Sequence, residues 1–185
     1  PLITRKPNNR IIMIKKTIST IHTISIVMVT GISFGILMSI VSNAFVSGVD
    51  FLFNARNDIT FLDFFLFGKS FSPAPLFTLL LAAFALLIIR HFFSISRWHG
   101  PADSIYAAHR TDNELNLKAG FGSTIAAFIS AGSGASVGQY GPLVHFGATV
   151  GSYVRTLTNG TISADVFIGC GVAGAIAAGF NAPIA

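Results

Sequence analysis

The segment 132–143 reads Gly-Ser-Gly-Ala-Ser-Val-Gly-Gln-Tyr-Gly-Pro-Leu and separates two apolar stretches of the chain. Its glycines leave the main chain uncovered, and the fixed φ of Pro142 suits the beginning of a helix. The sequence therefore predicts a helix from Pro142 to about Leu157. The first N–H groups of such a helix have no partner within it, and with the macrodipole they present about half a positive charge. Where a half-helix begins at mid-depth in a membrane, this charge is able to hold an anion.

Composition and charge indicate an integral membrane protein. Hydrophobic residues make up 52% and charged residues 10% of the chain, against about 45–50% and ~25% in soluble globular proteins. The net charge of +5 does not indicate nucleic-acid binding, because five of the twelve basic residues precede the first apolar segment: Arg5, Lys6, Arg10, Lys15 and Lys16. The positive-inside rule places this basic segment, residues 1–18, in the cytoplasm. A short interfacial helix is expected over residues 11–17.

Two long apolar segments follow the basic segment. The first covers residues 20–53 and exceeds the ~20 residues needed to cross a bilayer, which predicts strong tilt or a helix that extends beyond the membrane. Gly31 and Gly35 in its middle are expected to let another helix approach closely. The second segment covers residues 75–94, and residues 54–70 are expected to connect the two on the outer side.

The polar segment 97–118 must contact water on the cytoplasmic side. Within it, Pro101 stands at an early helical position and Asp103 in the first turn, where a carboxylate complements the helix dipole. These residues predict a short helix over residues 101–109, which is either interfacial or re-entrant because it cannot span. Its N-terminus and that of the helix from Pro142 are expected to point toward one central region.

The remaining segments are rich in small residues. Residues 119–136 combine glycine, alanine and serine, as is typical of helices in close contact within a bundle. Gly147 and Gly151 repeat the four-residue spacing, and a last apolar segment covers residues 164–185. The single cysteine, Cys170, excludes an intrachain disulfide.

Two of these segments carry a resemblance to a known family. Residues 138–142, Gly-Gln-Tyr-Gly-Pro, resemble the Gly-Arg-Glu-Gly-Pro motif of the CLC family of chloride channels and chloride/proton antiporters. Residues 170–185, Cys-Gly-Val-Ala-Gly-Ala-Ile-Ala-Ala-Gly-Phe-Asn-Ala-Pro-Ile-Ala, are similar to the family's Gly/Ala-rich helix that ends in Phe-Asn-Ala-Pro. Both motifs occur in the family's order and spacing, so the resemblance is strong over about residues 98–185.

The resemblance implies a fold and a function. The expected fold is all-α and membrane-integral, with tilted and re-entrant helices, and residues 19–185 would form the first of two inverted repeats, without the second. The expected function is transport of chloride or another small anion across the bilayer by a homodimer, in the cell's inner (plasma) membrane. No enzyme activity, cofactor, metal or nucleic-acid partner is implied.

The family's first filter motif, Gly-Ser-Gly-Ile-Pro, has a misleading match in this chain. Residues 132–134 read Gly-Ser-Gly, but they leave no room for the two helices that the family places before its second motif. Ungapped alignment matches the filter serine to His99, 41 positions before Tyr140. The resemblance therefore implies an anion-binding set made of eight residues: His99, Gly100, Pro101, Gly138, Gln139, Tyr140, Gly141 and Pro142.

Two substitutions in these motifs bear on mechanism. Tyr140 occupies the position of the family's external gating glutamate. A phenol does not exchange protons near neutrality as a carboxylate does, so passive anion conduction is favoured, with chloride/proton antiport as the alternative. His99 replaces the filter serine and could donate a hydrogen bond or titrate, or it could only cap a helix or face cytoplasmic water.

Two hypotheses from other classes remain. A membrane enzyme could use His91, His99 and His109 as metal ligands, but spacings of eight and ten residues place them on no common helical face. A non-conducting structural subunit would explain the glycine-rich helices. It would not explain two predicted helix starts in the region 97–142.

Overall fold

The computed structural model describes residues 9–59, 64–66, 69–110, 115–157 and 163–182. The architecture is helical, as predicted, and its elements are α1 (Asn9–Asn57), β1 (Phe64–Leu66), β2 (Lys69–Phe71), α2 (Ala74–Phe92), α3 (Pro101–His109), α4 (Leu117–Gly132), α5 (Tyr140–Leu157) and α6 (Ala164–Gly179). The antiparallel pair of β1 and β2 was not predicted and lies in the expected outer connection. Residues 1–8 of the basic segment and 183–185 of the second family motif lie outside the described residues.

Helix α1 is one continuous helix of 49 residues, about 74 Å long at 1.5 Å per residue. The prediction of a separate interfacial helix over residues 11–17 is therefore wrong. No glycine or proline lies between residues 8 and 30, and hydroxyl groups in this stretch bond to the preceding turn, as Thr17 and Thr20 do to the carbonyls of Met13 and Lys16. Nothing in the local chemistry ends the helix where a separate segment would need it to end.

Among the described residues, two helices are long and apolar enough to cross a membrane. They are the part of α1 from Met13 to Arg56 and the whole of α2. Large apolar side chains on both helices are more than half exposed: Met28, Val29, Ile32, Ile36, Ile40, Leu76, Leu80, Phe84 and Leu87. Apolar faces of this extent are unfavourable in water and suit contact with lipid.

The close packing of α5 on α6 follows from glycine. A methyl group at Gly147 would overlap the carbonyl oxygen of Gly171 and lie 2.8 Å from its carbon. A methyl at Gly151 would overlap the carbonyl oxygen of Phe167 in the same way. Since backbone cannot rotate aside, these glycines allow the two helices to touch backbone to backbone. The four-residue spacing noted in the sequence thus places both glycines on the face of α5 that meets α6.

Helix α1 packs on the other side of α6, but not through its own glycines. A methyl at Gly31 or Gly35 would meet nothing within 4 Å in the described part of the structure, so the prediction of a close helix contact at these positions is wrong for the described helices. The close contact is formed instead by Gly174 of α6, where an added methyl would lie 3.2 Å from the carbonyl oxygen of Phe34. Phe34 also belongs to a buried cluster with Phe167 of α6.

Helix α4 places polar groups beside the start of α5. Its buried face carries small residues, including Gly120, Ser123 and Thr124, and it packs against α1, α2 and α5. A methyl at Gly120 would lie 2.5 Å from Thr149 Oγ1 of α5. The small side chains therefore let α4 lie close to α5. Ser123 on the same helix accepts a hydrogen bond from His99 N in the loop before α3.

Candidate functional site

Helices α3 and α5 begin next to each other. Helix α3 begins at Pro101 as predicted, and α5 begins at Tyr140, two residues before the predicted Pro142. Proline is tolerated there because the N–H groups of the first turn have no partner within the helix. An added methyl at Gly141 would lie 3.5 Å from Pro101 Cγ. The two predicted helix starts therefore lie next to each other.

A cavity of about 420 Å³ lies where the two helices begin. Its lining includes His99, Gly100 and Pro142, together with Ser123 and Ser130 of α4 and His145 of α5. We call it the histidine cavity. Since one water molecule takes up about 30 Å³ in the liquid, the space admits a small anion with part of its hydration shell.

The backbone donors before α3 are already used within the protein. His99 N donates to Ser123 Oγ and Gly100 N donates to Asp103 Oδ2, both at 2.9 Å. Asp103 N donates in turn to Gly100 O, which closes the cap of the helix. The N–H of Gly100, one of the residues assigned to the filter, is therefore already used in this cap.

Asp103 also forms an ion pair with Arg97. Burial raises the pKa of Asp103, but the hydrogen bond from Gly100 N and the nearby Arg97 guanidinium outweigh it and hold the pKa below its usual value. The start of α3 therefore carries an ionised carboxylate at neutral pH. This negative charge offsets the positive end of the α3 dipole.

His145 is a site residue that sequence reasoning missed. It is 1% exposed, its ring centroid lies 6.1 Å from that of His99, and its Nδ1 lies 2.7 Å from Ser104 Oγ. One signal could have found it, since His145 stands four residues after Gly141 and must share the helix face that meets α3. His99 Nδ1 and His145 Nε2 are both buried without a hydrogen-bond partner among the described residues.

Tyr140 lies at a different cavity. Its ring stacks on that of Phe180, with centroids 4.7 Å apart and planes inclined by 27°. It lines a second cavity of about 560 Å³, the tyrosine cavity, with Ser39, Ser42 and Asn43 of α1 and Asn181 after α6. The two cavities share no lining residue. Since Tyr140 lines one and Pro142 the other, the first turn of α5 stands between them.

The remaining predicted site residues lie on the loop before α5. Gly138 is exposed and Gln139 half-buried, and neither lines either cavity. The look-alike motif at residues 132–134 is the end of α4, where Gly134 adopts a left-handed φ of 95°. Glycine is favoured there for the turn out of the helix.

Comparison with known families settles the class of protein. The family described as Voltage gated chloride channel matches residues 81–185, which include helices α3 to α6. The chain belongs to this family. No curated protein and no solved structure matches the chain.

Membership of the voltage-gated chloride channel family makes the chain part of a membrane-integral chloride channel or transporter. Proteins of this family are in general not enzymes. Among the described residues, no three His, Cys, Asp or Glu side chains come together in a way that could hold a metal ion. His91, His99 and His109 thus do not form the cluster that the metal-enzyme hypothesis requires.

Proposed function

We propose that the protein conducts chloride or another small anion passively, with the anion held in the histidine cavity. One observation carries this proposal: the starts of α3 and α5 meet at a cavity lined by His99 and His145, and within the part of the chain that the structure describes His99 Nδ1 and His145 Nε2 are buried without a hydrogen-bond partner. A buried polar nitrogen without a partner is costly. An ion accepting hydrogen bonds in the cavity would remove that cost.

The start of α5 supplies the attraction for an anion. Its first N–H groups have no partner within the helix, and the dipole adds partial positive charge at the same end. In the first turn of α5, Gly141 and Pro142 are half-buried and Leu143 is fully buried, so water screens the charge of this helix start less than it would at an open surface. An anion there needs no lysine or arginine as its counter-charge.

Tyr140 favours passive conduction over exchange with protons. Neither cavity has a carboxylate among its described lining residues, and Tyr140 takes the position where the resemblance implies a glutamate. The group that would release and rebind protons near neutrality is thereby replaced. Chloride/proton antiport remains the second candidate, because the CLC family that the chain resembles includes chloride/proton antiporters.

The membrane arrangement completes the proposal. The exposed apolar faces of α1 and α2 contact lipid. The basic residues of segment 1–18, three of which lie in the first turns of α1, hold the N-terminus on the cytoplasmic side of the plasma membrane. The resemblance to the CLC family supports a homodimer. The eight residues that it implies for the anion path, His99 to Pro101 and Gly138 to Pro142, remain the proposed filter, with Tyr140 as its gate.

Flux measurement on the full-length protein tests the proposal. Liposomes loaded with chloride and placed in a chloride-free medium should release it when valinomycin and potassium compensate the charge. The lumenal pH should stay constant during this release. An anion gradient that drives steady uphill proton movement would establish the antiporter instead, and liposomes that release no chloride would favour a structural subunit.

A further inference from the structure

An anion in the histidine cavity finds few donors on α3. The N–H groups of His99 and Gly100 are donated to Ser123 and Asp103, and Pro101 has none. The carboxylate of Asp103, which is paired with Arg97, also occupies this helix start and competes with an anion for its N–H groups. The first residues of α3 therefore cannot be the main source of hydrogen bonds to the ion.

His145 has the donor that α3 lacks. The side chain is 1% exposed and lines the cavity, and its Nε2 has no hydrogen-bond partner among the described residues. Because Nε2 is closed off from bulk solvent, its partner must come from inside the protein. The histidine cavity, which His145 lines, is the space that we assign to this partner.

The contact with Ser104 indicates which nitrogen of His145 carries the proton. When the Ser104 hydroxyl donates to Nδ1, 2.7 Å away, both of these groups are satisfied and Nε2 carries the N–H. In the other tautomer, Nδ1 donates to Ser104, and the hydroxyl hydrogen then has no acceptor among the described residues. Counting satisfied groups therefore favours the tautomer in which Nε2 is the donor.

We propose that His145 Nε2–H donates a hydrogen bond to the anion in the histidine cavity, and that Ser104 positions it by fixing the tautomer. The inference rests on the proposed function, since it assigns a ligand to the same anion site. A halide accepts hydrogen bonds and cannot donate them, so only the tautomer with Nε2–H attracts it. The other tautomer would present a lone pair to the ion and repel it.

Two substitutions of His145 separate the Nε2 donor from the rest of the ring. In His145→Gln the amide nitrogen reaches the region of Nε2 and keeps a donor there, whereas the shorter amide of His145→Asn reaches only the region of Nδ1. Chloride affinity of the full-length protein in detergent, measured by isothermal titration calorimetry, should fall roughly ten- to a hundredfold in His145→Asn, because one hydrogen bond to a charged group is lost. His145→Gln should retain most of the affinity.

Ser104 needs a measurement that a merely structural role would not change. In Ser104→Ala, the ¹⁵N signals of His145 should show a mixture of tautomers, and chloride should bind more weakly than in the wild type. His109→Asn is the matched control, because His109 is an exposed histidine in the last turn of α3. Its chloride affinity should equal that of the wild type.

The possible results distinguish failure of this inference from failure of the proposed function. Wild-type affinity in His145→Asn would overturn the inference and leave the anion site in place, with an internal water as the partner of Nε2. A wild-type protein that binds no chloride would overturn both. If His145→Asn does not fold, the ¹⁵N signal of Nε2 in the wild type decides: it should shift when chloride is added, and an unchanged signal would overturn the inference.

Discussion

Replacing Gly147 by alanine should push α5 away from α6. The added methyl would overlap the carbonyl oxygen of Gly171 and lie 3.0 Å from Ala175 Cβ. Overpacking of this kind typically costs about 1–3 kcal/mol, and the better helix propensity of alanine offsets roughly 0.5–1 kcal/mol of it. We expect a net loss of about 1–2 kcal/mol in the free energy of unfolding.

Gly31→Ala provides the matched control. Gly31 is also a helical glycine, but an added methyl there meets nothing within 4 Å. The substitution should leave stability unchanged or raise it by about 0.5–1 kcal/mol. The two variants thus receive the same methyl group in the same backbone conformation and differ only in what that methyl meets.

Reversible unfolding of the full-length protein in mixed micelles, titrated with a denaturing detergent, measures the difference. Because α5 also forms one wall of the histidine cavity, chloride affinity should fall in Gly147→Ala and not in Gly31→Ala. Equal unfolding midpoints for the two variants would refute the reasoning, since the backbone contact between α5 and α6 would then contribute nothing measurable.

Two further predictions concern the gate position and the cap of α3. Tyr140→Phe keeps the stack on Phe180 and should conduct anions like the wild type in liposomes. Tyr140→Ala should raise the anion flux, and Tyr140→Glu should make the anion flux fall as pH rises. Identical flux in all three variants would exclude a gate at this position. Asp103→Asn should lower the free energy of unfolding by about 0.3–1 kcal/mol at pH 7, because a charge at a helix N-terminus is lost. Folding lowers the pKa of Asp103, so the contribution of this carboxylate to stability is present above the ordinary carboxyl pKa and is lost as pH falls through the lower folded value. The unfolding midpoints of Asp103→Asn and wild type should therefore converge in acid. A difference that persists in acid would contradict the assignment.

Local chemistry allowed the helix starts to be predicted from the sequence. Pro101 and Asp103 fix the beginning of α3 through a proline at the first helical position and a carboxylate that accepts from Gly100 N. Both signals act within one turn, so no knowledge of the tertiary fold was needed. The end of α4 at residues 132–134 is likewise determined locally, by the left-handed conformation of Gly134.

Predictions that depend on which face meets a partner were less successful. Gly31 and Gly35 have the same spacing as Gly147 and Gly151, yet only the second pair is covered by another helix. Spacing shows that two residues share a face and does not show what packs on it. The short pairing of β1 and β2 was missed because aromatic residues at a membrane surface and in a strand look alike in sequence.

The histidine cavity was predictable in its location and not in its chemistry. The helix starts predicted at Pro101 and Pro142, and the alignment of His99 with the family's first filter motif, indicated that the segments around His99 and Pro142 would come together, and they do. The ring of His145 is held in the site by its contact with Ser104, which is 41 residues away in the chain. The separate position of Tyr140, beside Phe180, also depends on how α6 ends. The four-residue step from Gly141 shows the face of α5 on which His145 lies, but neither of these two contacts can be inferred from it.

Anomalous diffraction from crystals of the full-length protein grown in bromide tests the central claim most directly. Bromide replaces chloride as a small halide and is located by its own scattering. We predict a bromide peak inside the histidine cavity, within hydrogen-bonding distance of His145 Nε2 and in front of the first turn of α5. Bromide bound only in the tyrosine cavity, or absent from the histidine cavity of a protein that conducts bromide in liposomes, would contradict the account.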